Sequence, residues 1–477
     1  MSYFYYAAIT IVVIQELFGV CMKKIWAVIV SLILCFALFC NGTVYATGLS
    51  LLTDDTKENS EDDKDTETTN DSTETSGSVG NIQYSEDVET QETLAAIKKS
   101  EKISEKTSTK GSDSLGLTSK SVVLMEASTG ELLYEKEKDL QMEPASITKI
   151  MTMILIFEAI DAGKINLQDT VTVSEHAASM GGSQVYLEPN ETQTVETMLK
   201  CISIASANDA CVAMAEHVAG SETEFVARMN EKAKALGMKN TTFENCCGLD
   251  DTTSKHMSTA YDVALMSREL ITKHPEVSKY ATTWMDTFTH VTKKGESEFG
   301  LTNTNKLVRT YNGITGLKTG STSKAKFCLS ATANRNGMDL IAVVMCAPEP
   351  KTRFAEAAAL LDYGFANCSL YSDDQKDLML DPIPVKNGIE DTVNGVAKSK
   401  FSYVCLNGKE PSQIKKEVLV REDLQAPVKL NDEIGTIIYK YNDEEIGRVP
   451  IVAAKDIREQ KYRDCFVEVV KKYFLIR

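Results

Sequence analysis

Apolar positions recur along the chain with two different periods, and the switches between them predict its elements. Residues 121–125 and 131–134 are short β-type runs flanking Ser128, Thr129 and Gly130, a pattern that predicts an antiparallel hairpin. Ile147, Ile150, Met151, Ile154 and Leu155 then repeat at the three-and-four spacing of one buried helix face, and Gly163 is placed to stop that helix. Further helical stretches are predicted from about 195 to 218 and from 222 to 236. Residues 327–333 and 340–346 are apolar strands joined through Asn336 and Gly337, a strong hairpin signal. Helices between an opening and a closing hairpin predict a mixed α/β class: an antiparallel sheet covered by helices, not a doubly wound one.

After Phe365 the texture changes to short alternating strands with Pro, Asn and Asp turns, such as 436–441 and 446–452 around Asn442 and Asp443. A separate small all-β domain is expected over 367–454, following an ordered domain over 119–366. The last stretch, 455–477, puts Tyr462, Phe466, Val469, Val470, Tyr473 and Phe474 on one helical side, with Lys455, Arg458, Lys461, Lys471, Lys472 and Arg477 elsewhere. Two arrangements suit such a helix: lying on an anionic membrane surface, or packing its apolar face on the β domain.

At the other end, Met22, Lys23 and Lys24 precede an apolar core from Ile25 to Cys40, then Val44, Tyr45 and Ala46. This reads as a secretory signal peptide cut after Ala46, so 1–46 is expected to be a leader and the protein to be exported. The core is shorter than the ~20 residues a permanent anchor needs. A second apolar run over 1–21 makes Met22 the expected start, and Phe39 before Cys40 disfavours a lipoprotein signal.

Charge refines this picture. The chain has 51 Lys and Arg against 68 Asp and Glu, a formal charge of -17. Ten Asp or Glu against two Lys between Asp54 and Glu74 supply -8 of it. Residues 47–118, rich in Ser, Thr and acid, cannot bury enough apolar surface to fold and are expected to be a solvated tether. No broad basic surface remains, so nucleic acid is not an expected partner. Twelve cysteines include three in the leader, leaving an odd nine, scattered except for the adjacent pair Cys246 and Cys247. Most are expected to be small buried hydrophobes. There is no zinc-type spacing, His-Glu-x-x-His or Cys-x-x-Cys to suggest a metal.

Candidate chemistry begins at Ser146 and Lys149. Their separation of three puts both side chains on one helix face, one turn apart. A serine at a helix N-terminus has backbone N–H groups beside it that favour developing negative charge, and an amine held partly out of water can take the hydroxyl proton. Alone, Ser-x-x-Lys is also compatible with Ser146 as a simple N-cap. Ser206, Ala207 and Asn208 add a hydroxyl and an amide, and Lys318, Thr319 and Gly320 add a cation, a hydroxyl and a residue without a side chain. Such groups can pass a proton, grip a carboxylate and hold a peptide carbonyl, while glycine lets a substrate approach a strand edge.

In this order and spacing the three motifs resemble those of a penicillin-binding protein of the serine D-alanyl-D-alanine carboxypeptidase type. The resemblance runs from about 119 to 365, with supporting text at Thr129 and Gly130, 144–152, 181–187, 258–262 and 313–322, and extends into the β domain and terminal helix. It implies that Ser146 is the acylated nucleophile, Lys149 its general base, Ser206 a proton shuttle and Asn208 a ligand for the substrate amide. It also implies that Lys318 and Thr319 bind the terminal carboxylate, beside Gly320, and that the N–H groups of Ser146 and Ser321 form the oxyanion hole.

The implied reaction removes the terminal D-alanine from a peptidoglycan stem pentapeptide through an acyl-enzyme, which β-lactams would trap, at the outer face of the cytoplasmic membrane or in the cell wall. No cofactor is implied. The chain departs from the pattern at Ala207, and Thr304 and Pro348 stand where some relatives carry arginine, with Arg353 coming later. A class A β-lactamase is disfavoured by the missing Glu-x-x-Leu-Asn segment and the extra β domain. A catalytically idle wall-binding protein is the alternative from another class. His256 is expected to be a structural hydrogen-bonder, Glu244 and Asp250 to be loop residues, and Gly181, Gly182 and Ser183 to shape the cleft rim.

Overall fold

Six consecutive buried residues, Ser121–Glu126, make strand β1, and their alternation feeds two cores. Val123 and Met125 enter a large helical core, whereas Val122 and Leu124 enter a second core on the other face of the sheet. Period-two side-chain alternation in a strand covered on both faces produces this division. The computed structural model describes residues 115–474 apart from 252, 377, 379 and 407, so the expected leader and most of the expected tether lie outside the described residues.

β1 pairs antiparallel with β2 (Leu132–Lys136) on one side. The rest of the sheet is β3 (Ile314–Thr322), β4 (Lys326–Arg335) and β5 (Met338–Ala347), in the spatial order β2-β1-β5-β4-β3. All pairings are antiparallel, with Val123 opposite Val343 and Lys318 opposite Ser330. The β4–β5 turn uses Asn336 and Gly337 at φ 53° and 79°, the left-handed pair that a two-residue hairpin requires.

Helix α1 (Lys149–Asp161) is buried almost all round in the larger core. Where the periodicity predicts one helix over 195–218, there are two, α2 (Val195–Ser203) and α3 (Asn208–Ala219), separated by a break that holds Ser206 at φ 62°. Apolar residues on both sides of the break keep the helical period, so the sequence pattern does not register it. α4 (Glu222–Ala235) and α5 (Ala260–Lys273) complete that layer, and the unforeseen α6 (Pro350–Asn367) covers the opposite face. The fold is thus the expected α/β arrangement of an antiparallel sheet with helices on it.

The following region has its own core around Ile437, Tyr439 and Ile451 and a four-stranded antiparallel sheet including Glu433–Tyr441 and Glu444–Ala453. Its Asn442–Asp443 turn is where the sequence places it. Ile457 is buried and pairs with Val428, so this region reaches past the expected limit at 454, and the terminal helix α7 (Tyr462–Phe474) begins later than expected. Tyr462, Phe466, Val469 and Tyr473 are exposed on α7 and are not packed on the β region. No helix among the described residues is long and apolar enough to cross a membrane.

Candidate active site

The chain leaves Pro144 through Ala145 at φ 48° and makes a single 3-10 turn, Ala145–Thr148, that runs into α1. Ala145, Ile147 and Thr148 are buried, while Ser146 is only partly so and reaches the surface. Ser146 therefore precedes the α-helix proper, with Lys149 as its first residue, and neither Pro144 nor Thr148 makes a side-chain cap.

Lys149 is fully buried, and its Nζ lies 3.0 Å from Ser146 Oγ, 2.6 Å from Asn208 Oδ1 and 2.8 Å from the Cys247 carbonyl. None of these partners is an acid. Asn208 is oriented by its own Nδ2, which donates to the Gly181 carbonyl at 2.7 Å, and its backbone N–H donates to Ser183. The glycine-rich turn is thus tied to the Asn208 amide.

Two glycines allow the backbones to meet here. A Cβ on Gly248, at φ 89°, would lie 1.9 Å from the Ala145 carbonyl oxygen, so only glycine lets the Cys246–Cys247 loop press on the Ser146 turn. A Cβ on Gly320 would meet the backbone nitrogens of Ser146 and Ile147 at 3.1 Å each and the Pro144 carbonyl at 2.9 Å. The sequence suggests that Gly320 makes room for a substrate; in the fold it makes room for the serine turn. This places the Ser146 N–H beside the edge of β3, next to the exposed Ser321.

Lys318 is buried on β3, and its Nζ donates to Ser206 Oγ at 2.8 Å and to the Thr319 carbonyl at 3.1 Å. Burial, then the charges of Lys149 and Arg353, hold its ammonium well below the usual lysine range. Thr319 Oγ1 donates to Thr304 Oγ1 at 2.6 Å, and Thr304 N–H reaches the Ile204 carbonyl at 3.2 Å. Thr304 therefore links the β3 motif to the break that holds Ser206. Arg353, from α6, donates to the Gly320 carbonyl at 3.1 Å. An arginine thus reaches β3 from α6, although Pro348 stands where the motif pattern places one.

Ser146, Lys149, Ser206, Asn208, Lys318 and Thr319 all come together in these contacts. The Cys247 carbonyl, Gly248, the Thr304 hydroxyl and the Arg353 contact are not foreseen, because a carbonyl contact carries no residue-type signature and Thr304 matches no motif. His256 is structural: its Nδ1 accepts from Glu244 N–H at 3.0 Å, its Nε2 lies 2.8 Å from Thr148 Oγ1, and burial pulls its pKa down to about 4. Glu244 caps the Ser254 and Lys255 N–H groups, and Asp250 accepts from Thr322, so both serve loops. All nine described cysteines are free thiols, and burial pushes the Cys211 thiol up to about 12.

This arrangement can deprotonate a hydroxyl, protonate a leaving amine through Ser206 and receive an acyl group on Ser146. Comparison with known proteins places it in context. Residues 106–349 match the family model described as D-alanyl-D-alanine carboxypeptidase, and 365–459 match that of the penicillin-binding protein 5 C-terminal domain. The chain is 42% identical over 350 residues to the D-alanyl-D-alanine carboxypeptidase DacF of Bacillus subtilis, covering 73% of this chain and 88% of that one. It is 34% identical over 344 residues to DacC of Escherichia coli, covering 71% and 84%. Penicillin binding protein 5 from Haemophilus influenzae superposes with a TM-score of 0.62 at 30% identity, covering 74% of this chain and all of that one.

Proposed function

This chain belongs to the D-alanyl-D-alanine carboxypeptidase family, and from that premise we propose that Ser146 is the residue acylated in its reaction. The enzyme is a serine-type hydrolase of D-Ala-D-Ala-terminated cell-wall peptides and is acylated by β-lactams. Ser146 Oγ attacks the carbonyl of the penultimate D-alanine while its proton passes to Lys149 Nζ. The oxyanion faces the N–H groups of Ser146 and Ser321. Ser206, hydrogen-bonded to Lys318, relays the proton taken up by Lys149 to the departing amine of the last D-alanine, which returns Lys149 to its unprotonated form. Water then cleaves the ester with Lys149 again as base.

Asn208 has a second amide hydrogen for the substrate carbonyl, since only one is engaged by Gly181. Thr319, with Lys318 beside it on β3, receives the terminal carboxylate. A β-lactam follows the same first step, but its leaving nitrogen stays attached and the ester persists.

The observation that carries this reading is the 3.0 Å separation of Lys149 Nζ from Ser146 Oγ, with only neutral acceptors around the amine. Mass spectrometry after benzylpenicillin treatment tests it. A penicilloyl adduct is expected on the peptide containing Ser146 and is expected to vanish in Ser146→Ala; an adduct elsewhere, or none on folded protein, overturns the assignment. The enzyme works outside the cytoplasm, and the exposed apolar side of α7, flanked by Arg463, Lys471 and Lys472, supports contact with the membrane surface.

A further inference from the structure

Three ligand-type side chains from separate elements meet at the end of α1 opposite Lys149. Asp161 is the last residue of α1, His274 follows the last residue of α5, and Glu276 precedes the short helix Val277–Ala281. Their ligand atoms all lie within 4.8 Å of one another. His274 Nδ1 is 2.9 Å from Asp161 Oδ2 and 4.0 Å from Glu276 Oε1.

The histidine is what distinguishes this cluster from a patch of surface acid. His274 is 4% exposed, its ring stacks on Phe157 with centroids 5.6 Å apart, and its buried Nδ1 has no hydrogen-bond partner. Nδ1 thus lies within ion-pair distance of the Asp161 carboxylate, with the Glu276 carboxylate further off, and makes no hydrogen bond to either. Asp161 and Glu276 are half exposed, which leaves a path for an ion and for water. α1 and α5 both end here, and the negative ends of their dipoles favour a cation.

We propose that Asp161, His274 and Glu276 bind a divalent transition-metal ion of the zinc type, with water completing its coordination. Nitrogen and oxygen ligands at ~2.0–2.2 Å around a tetrahedral ion stand roughly 3.3 Å apart, between the two separations seen here. Imidazole plus two carboxylates suits zinc better than calcium or magnesium, which take oxygen ligands. The ion ties the end of α1, whose first residue is Lys149, to α5 and to Val277–Ala281, and it acts on stability, not on the acylation step. Sequence spacing gives no hint of the site, because positions 161, 274 and 276 converge only in the fold.

The test uses the chain from residue 47, stripped by chelator, in a Cys465→Ser background that removes the exposed thiol. Titration with zinc sulfate is followed by calorimetry and thermal unfolding. One equivalent is expected to bind and to raise Tm by about 5 °C at a hundredfold excess over Kd. Both effects are expected to be lost in Asp161→Asn/Glu276→Gln, whose substitutions are at exposed positions. Equal zinc affinity and equal Tm gain in the two proteins, or no binding tighter than millimolar, overturns the site. Penicillin acylation, measured alongside, is expected to be the same in both proteins, so failure of the metal site is distinguishable from failure of the Ser146 assignment.

Discussion

A neutral amine has two donors and one lone pair, whereas an ammonium has three donors and no acceptor. Around Lys149 Nζ stand two obligate acceptors, the Asn208 amide oxygen and the Cys247 carbonyl, and one hydroxyl that both gives and takes. Lys149 Nζ therefore stands where it meets both carbonyls and the Ser146 hydroxyl at once, the position from which an amine can take the Ser146 proton. Lys149→Met is expected to slow penicillin acylation by about 10²–10⁴-fold without unfolding the protein, measured by stopped-flow acylation and by circular dichroism. Gly248→Ala is a sharper geometric test, since its new methyl would occupy the Ala145 carbonyl. A displacement of about 1 Å at the serine turn is expected to cost roughly 100-fold or more in D-alanine release from a diacyl-Lys-D-Ala-D-Ala peptide.

His256 belongs to the same scale. Its folded pKa of about 4 lies below the usual histidine value, so between pH 6.5 and 4 the unfolded chain binds the extra proton. The stability held above pH 6.5 is therefore lost as pH falls through that window, by roughly 3 kcal/mol. Urea unfolding at several pH values is expected to show this slope reduced in His256→Gln. Ser146 and Lys149 were legible because their chemistry sits in residue types at helical spacing, whereas the Cys247 carbonyl was hidden because any residue supplies one.

The break between α2 and α3 shows what element-level reading misses. Ile202 and Ile204 before it and Cys211 and Val212 after it are all buried, so an unbroken helical period runs through a segment that leaves the helix to hold Ser206 at φ 62°. The hairpin at Asn336–Gly337 was legible because its turn chemistry is local. α6 was not expected, yet it fixes the start of the sheet. Glu356, buried on α6, accepts from Thr118 N–H at 2.6 Å, Thr118 Oγ1 at 2.7 Å and Ser119 N–H at 3.2 Å, pinning the chain just before β1. Glu356→Ala leaves these donors without an acceptor and is expected to lower unfolding free energy by about 2–3 kcal/mol. Acylation of the folded fraction is expected to be unchanged. Equal loss of both would instead tie α6 to the reaction through Arg353.

At the scale of the whole molecule the change of texture after Phe365 was readable, because alternating strands with local turns leave a periodic mark. The position of α7 was not, because the expected helix over 455–477 takes in Ile457, which makes an isolated bridge to Val428 in the fold. That boundary decides how the proposed membrane contact is tested. A truncation after Lys455 would remove the buried Ile457 and damage the β region, whereas one after Gln460 removes only α7. Inserting Phe466, Val469 and Tyr473 into a lipid interface gains on the order of 1.5 kcal/mol or more per side chain, and each basic residue near an anionic surface adds about 1 kcal/mol. Together these exceed what a soluble chain loses by ordering on a surface. A chain beginning at residue 47 is therefore expected to co-sediment with phosphatidylglycerol-containing vesicles, less so at high salt. The same chain ending at Gln460 is expected to stay in the supernatant with penicillin acylation intact. Phe466→Asp/Tyr473→Asp is expected to behave as the truncation does, because the proposed contact uses the apolar side of α7. Binding that survives both changes would assign it to another surface.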